Sequence, residues 1–459
     1  MTEPTIYELS APGRAGVRFP KPDVPLTPFP KGFVRSDLPL PEVAEVDVVR
    51  HFTRLSRMNY GIDLGLYPLG SCTMKYNPRV NEATARLPGF AFAHPFQPEE
   101  TVQGSLLLMF ELQEWLKEIA GFSAISLQPA AGAHGELTGI MIIRAYHQSR
   151  GDLKRTKVLI PDSAHGTNPA TSAMAGFQVV PVPTDSNGDV DLDSLQALCD
   201  DTIAAIMVTN PNTLGLFERN ILKVTQMVHQ AGGLVYGDGA NMNALLGIAR
   251  PGDLGIDVMH FNLHKTFSTP HGGGGPGSGP VGVVAALAEY LPGPIAVVKE
   301  EGTEDYPPLY GLHMPVHSIG RMKSFFGHFG MMVRAYTYIA MHGPQGLREI
   351  AENAVLNANY LRVRLQGSYK LAYDRVCMHE CVFEGHWEDV PDVHALDIAK
   401  RLMDYDFHPP TNYFPLIVRE ALMIEPTETE SLESLDAFVD AMLKIAEEAR
   451  SNPALLKEA

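Results

Sequence analysis

Cysteine is scarce in this sequence, with four residues in 459: Cys72, Cys199, Cys377 and Cys381. Four thiols in a chain of this length do not make a disulfide framework, because proteins built on disulfides are short and rich in cysteine. The cysteine content therefore predicts a reducing, cytoplasmic location.

Long apolar runs are also lacking. About 18 consecutive apolar residues are needed to span a bilayer, and the best candidate, residues 281–298, is interrupted by Glu289, Pro292 and Pro294. The first ten residues, MTEPTIYELS, show neither the basic start nor the apolar stretch of a secretory signal. We therefore expect no membrane span and no secretory signal.

Basic residues are outnumbered by acidic ones. The sequence has 36 Lys and Arg against 53 Asp and Glu, a net charge of −17 with histidine neutral. Nucleic-acid binders and proteins that dock on anionic membranes need basic surface, so the charge argues against both. Any phosphate-bearing ligand would need a local cradle. Apolar residues make up 45% of the chain, which excludes global disorder.

The length suggests about three folding units. The first 45 residues contain nine prolines, and proline removes backbone donors and fixes φ, so we expect an extended arm. Such an arm is either disordered alone or lies along another surface, and Phe19, Phe29 and Phe33 favour the second possibility. We assign residues 1–90 to this arm and a helix over 43–58.

The middle of the chain alternates between apolar runs and helical patterns. Runs without period-2 alternation are typical of strands buried on both faces, so residues 91–330 are predicted to form a large α/β domain around a mostly parallel sheet. The predicted strands are TKVLIPD, FQVVPVP, IAAIMVTN, GGLVYGD and VMHFNLH, and helices are predicted over 102–119 and 135–149.

The last third of the chain is predicted to be a smaller C-terminal α/β domain, residues 331–459. Its predicted elements are helices over 321–341, 346–365 and 429–449, and strands near 375–383 and 413–417.

A carboxylate and a lysine follow two neighbouring apolar runs, Asp238 after LVYG and Lys265 after VMHFNLH. Open α/β sheets bind ligands at the carboxyl ends of their strands, so both side chains are expected at one rim. The pair suits pyridoxal 5'-phosphate (PLP), in which a lysine forms a Schiff base and a carboxylate keeps the pyridine nitrogen protonated. The alternative is an ordinary salt bridge, or two solvated loop residues.

A glycine-rich run, HGGGGPGSGP, covers residues 271–280. Glycine lets backbone donors approach a phosphate closely, but the run lacks the Gly-Lys-Ser/Thr and helix of a P-loop. A phosphate or substrate contact and a mobile loop or tight turn both stay open for it.

Three further polar loops belong to the same predicted rim. Small residues before a helix offer free amides to an anion, and a histidine after a strand can stack on an aromatic ring. Each signal is common in proteins when taken alone. The loops are QPAAGAHGE with Gly132, Ala133 and His134, PDSAHGTNPATS with His165, and VTNPNTLGLFE with Thr213.

The segment CMHECVFEGHW, residues 377–387, contains metal-type ligands at Cys377, His379, Cys381 and His386. The paired knuckles of structural zinc sites are absent from it. We therefore favour a structural strand with incidental histidines and predict no metal site. Cys72, in the GSCTMK turn, is a better candidate for a reactive thiol.

Together with YPLGSCTMKYNP and DYDFHPPTNYFP, these motifs resemble, over essentially the whole chain, the P-proteins of the glycine cleavage system. The resemblance is to the second subunit of the two-subunit bacterial type. It implies an aspartate-aminotransferase-like, fold-type-I architecture and PLP-dependent decarboxylation of glycine, with transfer of the aminomethyl group to the lipoyl arm of the H-protein. It also implies a first subunit as partner, in an α2β2 heterotetramer.

The same resemblance implies roles for individual residues. Lys265 would carry PLP as a Schiff base, Asp238 would hold the pyridine nitrogen, and His165 and Ala240 would cover the two faces of the ring. The remaining positions implied for cofactor binding are Gly132, Ala133, His134, Thr213 and His264.

Two other functions stay open. One is a different fold-type-I PLP enzyme, such as an amino-acid decarboxylase or a sulfur-transferring lyase. The other is a non-catalytic scaffold, against which the presence of both Lys265 and Asp238 argues.

Overall fold

The computed structural model describes residues 3–272 and 275–459. The chain divides into two compact units, one up to Leu64 and the other Gly65–Ala459.

In the first unit, turns, bends and irregular backbone over residues 3–44 lead to the helix α1 (Glu45–Arg57), which confirms the helix predicted over 43–58. The Glu3 carboxylate accepts two hydrogen bonds from Arg54 and lies 3.2 Å from His51 Nδ1. The hydrogen bond from Arg54 is the main reason that the pKa of Glu3 falls to about 2. Within this chain the apolar side chains of the arm are exposed: Phe19, Phe29 and Phe33.

The second unit is built on a central sheet whose strand order is β1-β7-β6-β5-β4-β2-β3. Strands β2 to β6 pair in parallel with their neighbours, whereas β7 runs antiparallel to β1 and β6. The strands are β1 (Ala124–Ser126), β2 (Lys157–Pro161), β3 (Gln178–Val182), β4 (Ile203–Thr209), β5 (Leu234–Gly239), β6 (Val258–Phe261) and β7 (Val281–Val283).

The five predicted apolar runs form β2 to β6, and both faces of the sheet are covered. Ile206 of β4 packs in one core cluster with Leu112, while the next residue, Met207, packs in a second cluster with Ile140. The helices of this part are α2 (Arg79–Ala85), α3 (Pro88–Ala91), α4 (Gln103–Ala120), α5 (Gly132–Ser149), α6 (Thr167–Met174), α7 (Leu192–Leu198) and α8 (Ile221–Gln230).

A hairpin and a second, antiparallel sheet follow. The hairpin consists of β8 (Ile295–Glu300) and β9 (Leu309–His313), and the sheet has the order β10-β11-β13-β12. Its strands are β10 (Lys370–Leu371), β11 (Cys381–Glu384), β12 (Thr411–Asn412) and β13 (Ala421–Ile424), and the helices are α9 (Phe329–Leu365), α10 (Ala395–Asp404), α11 (Leu432–Ser451) and α12 (Ala454–Lys457).

Three elements of this region differ from the sequence-based expectation. The break predicted between the helices over 321–341 and 346–365 is present, because α9 is interrupted at Gly343, which has a non-helical φ of 61°, but the first of the two helices starts only at Phe329. The strand near 375–383 begins only at Cys381. Residues 413–417 form bends and turns rather than a strand, because Pro415 has no backbone N–H to donate to a neighbouring strand and Tyr413 has a φ of 60°.

No helix within residues 3–272 and 275–459 combines the length and the apolar character that a bilayer span requires.

The segment before α2 is anchored by a buried ion pair. Lys75 is 3% exposed, and its Nζ donates to Glu428 Oε1 and Asn243 Oδ1, both at 2.8 Å, and to the Tyr338 hydroxyl at 3.2 Å. Removing one partner of a buried pair leaves an uncompensated charge, which costs about 3–5 kcal/mol.

We therefore expect Glu428→Ala to lower the free energy of unfolding in urea by about 3–5 kcal/mol. The control is Glu352→Ala, which breaks the surface pair between Arg348 and Glu352 and should cost less than about 1 kcal/mol. Equal losses in the two variants would contradict a structural role for the buried pair.

Candidate active site

The carboxyl ends of neighbouring strands bring the predicted residues to one rim. Asp238 lies in β5, opposite Thr209 of β4 and His260 of β6. Lys265 follows β6 in a turn, and its ammonium acts on the pKa values of both Asp238 and His165. The structure therefore gathers Lys265, Asp238 and His165 within electrostatic range of one another.

Asp238 is buried but well supplied with partners. Its carboxylate accepts hydrogen bonds from Asn168 Nδ2 at 3.1 Å and from the Ala240 amide at 2.9 Å, and His260 Nε2 lies 3.4 Å from Oδ1. Burial alone would raise the pKa of Asp238, but His260 and the two hydrogen bonds outweigh it and hold that pKa below its usual value. An anion is thus maintained in a dry part of the rim.

A second carboxyl, Glu136, shares a partner with Asp238. Asn168 Nδ2 also donates to Glu136 Oε2, at 2.9 Å. Burial first, and then the Asp238 charge, raise the pKa of Glu136. Asp238 is therefore ionised and Glu136 is neutral, because two like charges in a shared site disfavour each other.

Behind Asp238, His260 is fixed from both sides. Its Nδ1 lies 2.6 Å from the Tyr236 hydroxyl and its Nε2 lies 2.8 Å from Asn262 Nδ2. Sequence reasoning missed Asn168, Glu136 and His260 as site residues, although all three lie inside segments quoted above.

The start of α5 leaves backbone amides without a side-chain cap. The helix begins at Gly132 with no side-chain cap, so the amides of Gly132, Ala133 and His134 have no partner within the helix. A Cβ on Gly132 would lie 2.4 Å from Asn262 Oδ1, and one on Gly135 would lie 2.6 Å from the Cβ of His260. Only glycine lets the helix start approach the end of β6 this closely.

The remaining predicted residues line the loops around this rim. His165 Nδ1 accepts hydrogen bonds from the amide and the hydroxyl of Thr167, and its ring lies edge-on to Phe414 at 5.6 Å. The Thr213 hydroxyl donates a hydrogen bond to the Ser163 carbonyl oxygen. Ala240 lies directly after β5, where its amide holds Asp238.

His264 and His271 form the side next to the glycine-rich run. Their ring centroids are 5.5 Å apart, and Ser278 donates its amide to His264 Nδ1 at 3.4 Å. Burial, aided by the Lys265 charge, lowers the pKa of His264 to about 3 and that of His271 to about 4. Both rings are therefore neutral at pH 7. Gly273 and Gly274 of the run lie outside the described residues.

Lys265 Nζ donates a hydrogen bond to the Ser71 carbonyl at 2.8 Å. Ser71 and Thr73 both have positive φ and are held by two buried acids, Glu380 and Glu425. Cys72 lies between Ser71 and Thr73 in the sequence. Burial raises the pKa of its thiol to about 11, so this cysteine is protonated at pH 7.

Two groups of metal-type ligands occur in the described part of the chain. They are Glu136 with Asp238 and His260, and His379 with Glu380 and Glu425. Cys377 and Cys381 of the segment considered above are buried free thiols. That no metal binds the chain stays a prediction.

Two family models match the sequence. The model of the glycine dehydrogenase C-terminal domain matches residues 350–454, and that of the class-V aminotransferases matches residues 140–274.

Among solved structures, a glycine decarboxylase (P-protein) of the glycine cleavage system in inhibitor-bound form is 22% identical, with a TM-score of 0.76 over 91% of this chain and 93% of that one. A cysteine desulfurase from Thermococcus onnurineus is 14% identical, with a TM-score of 0.64 over 86% of this chain and 96% of that one. These likenesses, with the class-V match, confirm the predicted aminotransferase-like α/β fold.

Curated relatives match over nearly the whole length. The probable glycine dehydrogenase (decarboxylating) subunit 2 of Alkaliphilus oremlandii is 60% identical, covering 99% of this chain and 93% of the relative. The protein of the same description from Caldanaerobacter subterraneus is 58% identical, with the same coverage. The chain therefore belongs to the glycine dehydrogenase (decarboxylating) subunit 2 family.

Proposed function

We propose that this chain carries PLP and decarboxylates glycine, passing the aminomethyl group to the lipoyl arm of the H-protein. The observation that carries the proposal is the ionised Asp238, held by His260 and Asn168 at the same rim as Lys265. A fixed anion near a reactive lysine supplies what a protonated pyridine ring needs. The choice of glycine as the substrate rests on the name of the family and of its relatives.

The described residues fit the cofactor. Lys265 would hold it as a Schiff base and Asp238 would face its pyridine nitrogen. The start of α5 would hold the phosphate, because its free amides and its helix dipole favour an anion. His165 and Ala240 would cover the two faces of the ring, and Thr213 and His264 would border it.

When bound, PLP takes up the electron pair that carbon dioxide leaves behind. The protein's part is orientation and protection from water. His264 and His271 are neutral and therefore add no further positive charge near Lys265. The Ser71 carbonyl would hold the Lys265 amine by a hydrogen bond whenever that amine is not bound to the cofactor.

The phosphate cradle gives a direct prediction. Gly135→Ala forces α5 away from His260, and overpacking of this size costs about 1–3 kcal/mol. We expect PLP affinity, measured by absorbance titration of the apoprotein, to fall at least about tenfold. Gly104→Ala is the matched control, because a Cβ there meets no heavy atom within 4 Å. Unchanged affinity for Gly135→Ala would place the phosphate elsewhere.

The family's name implies a first subunit as partner, and we propose an α2β2 heterotetramer in the cytoplasm. We further propose that residues 1–90 are an arm and a helix, and that the proline-rich arm contacts the partner subunit. Residues 91–330 would bind PLP, and residues 331–459 would form the small domain. The exposed Phe19, Phe29 and Phe33 support the first of these assignments.

The test of the function is co-purification with that subunit, followed by glycine decarboxylation with and without lipoylated H-protein. A spectral response that prefers another amino acid would favour a different PLP enzyme. A colourless protein that takes up no added PLP would favour a scaffold.

A further inference from the structure

Two fully buried glutamates, Glu380 and Glu425, lie at the edge of the candidate site. Glu380 directly precedes β11 and Glu425 directly follows β13. Because Cys381 pairs with Ile424, the glutamates take the next opposed positions of this antiparallel ladder. Both residues are 0% exposed, and His379 Nε2 lies 3.9 Å from an oxygen of each.

Both carboxyl groups hold the loop that contacts the lysine. Glu380 accepts from the Ser71 amide at 2.6 Å and from its hydroxyl at 2.9 Å, and Glu425 accepts from the Thr73 amide at 2.9 Å and from its hydroxyl at 2.6 Å. Ser71 and Thr73 have φ values of 56° and 49°, a conformation that costs about 1–2 kcal/mol per residue. The Ser71 carbonyl accepts from Lys265.

The charges around the pair do not balance two carboxylates. Burial raises the pKa of Glu380 and of Glu425, and the ammonium of Lys265 opposes it. The titratable groups that face the pair are Lys265, Lys75, Cys72, His379, Cys377 and Cys381.

Of these groups, Lys265 is left to compensate a negative charge, and its ammonium also acts on the ionised Asp238. Lys75 is already matched by Glu428 at 2.8 Å. Burial lowers the pKa of His379 to about 3 and raises that of Cys72 to about 11, so both are neutral at pH 7. One positive charge therefore faces two buried carboxyl groups, and one of the two must stay protonated.

The proposed reaction consumes one proton. The bond between Cα and the carboxylate of glycine breaks and carbon dioxide leaves. The electron pair of that bond forms the new carbon–sulfur bond, and the sulfur–sulfur bond breaks with its pair on the second sulfur. The disulfide is thereby reduced by two electrons, and the second sulfur becomes a thiol only when it receives a proton.

We propose that Glu380 and Glu425 share one proton and deliver it to the second sulfur of the acceptor disulfide. The Ser71 hydroxyl, which donates to Glu380 and is half-buried, is the relay between the pair and the site. The delivery step rests on the proposed function, whereas the shared proton does not.

The shared proton is tested without turnover. Infrared difference spectra of the purified protein, wild type minus variant at pH 7, report the carbonyl stretch of a protonated carboxyl group. Because the pair shares one proton, the spectra for Glu380→Gln and for Glu425→Gln should each show a positive band of the same size, as either remaining carboxyl ionises beside Lys265. The neutral Glu136 contributes equally to wild type and variant and cancels. Glu384→Gln, on the same strand but paired with Lys370, should show no such band.

Three results would overturn the shared proton. They are a difference spectrum without a positive band for either single variant, difference bands of unequal size for the two variants, and a stoichiometric divalent cation found by elemental analysis. Circular dichroism and thermal melting verify that the variants are folded.

The delivery step is tested in the holoenzyme by single turnover with lipoylated H-protein. We expect Glu380→Gln to slow transfer by about 10²-fold while the spectral response to glycine and its concentration dependence are kept. Unchanged transfer, or loss of the glycine response together with transfer, would overturn it. Failure of the wild type to respond to glycine would instead contradict the proposed function.

Discussion

Lys265→Ala is expected to abolish the absorbance band near the visible edge that PLP shows when it is bound to a lysine as a Schiff base. Lys265 is the lysine placed at the carboxyl ends of β5 and β6, where its ammonium acts on Asp238, His165 and His260. Without the amine no covalent attachment forms, and glycine decarboxylation should fall by at least about 10³-fold.

The measurement is an absorbance spectrum of the purified variant after addition of PLP, followed by an assay of carbon dioxide release. Lys223→Ala, an exposed position of α8, is the control and should keep both the band and the activity. Another lysine would be the attachment point if the purified Lys265→Ala protein retained the band.

The sheet was predictable because its central strands are buried on both faces. Ile206 and Met207 point into different core clusters, so residues 203–208 of their run include no polar side chain that would confuse a sequence pattern. Two other predicted runs, GGLVYGD and VMHFNLH, end at Asp238 and just before Lys265. Because ligands bind at the carboxyl ends of strands, the sequence predicted that both residues lie at the ligand-binding rim.

The strand predicted near 413–417 is wrong, and it shows where a prediction from apolar runs fails. Tyr413, Phe414 and Ile417 have high strand propensity, but that propensity mostly reflects packing against neighbours. Here Pro415 and the positive φ of Tyr413 turn the chain instead.

Contacts between distant segments were the part of the site that the sequence did not reveal. Asn168 lies 32 residues after Glu136 and 70 residues before Asp238 in the chain, and no local pattern marks its contacts with them. Glu380 and Glu425 bind a loop more than 300 residues away. Glu425 did carry a signal, since it directly follows the apolar run ALMI as Asp238 follows LVYG.

Asp238→Asn is expected to leave PLP binding largely intact and to remove most of the decarboxylation. Asparagine keeps the size of the side chain and one oxygen, which can accept from the Ala240 amide as Oδ1 does, while its amide nitrogen replaces the Oδ2 that accepts from Asn168. It carries no charge, so the pyridine nitrogen loses the anion that keeps it protonated, and the ring stores electrons poorly.

Removing one fixed electrostatic stabiliser costs about 10²–10³-fold in rate, and we expect a loss of this size in the exchange of the glycine carboxyl with bicarbonate. Asp253→Asn, which breaks an exposed pair with Arg250, is the control for the loss of one negative charge from the chain. Because Glu136 is the second acid beside Asn168, the double variant Glu136→Gln/Asp238→Asn tests whether it substitutes for Asp238. Near-normal exchange in both the single and the double variant would refute the assignment of the pyridine partner to Asp238.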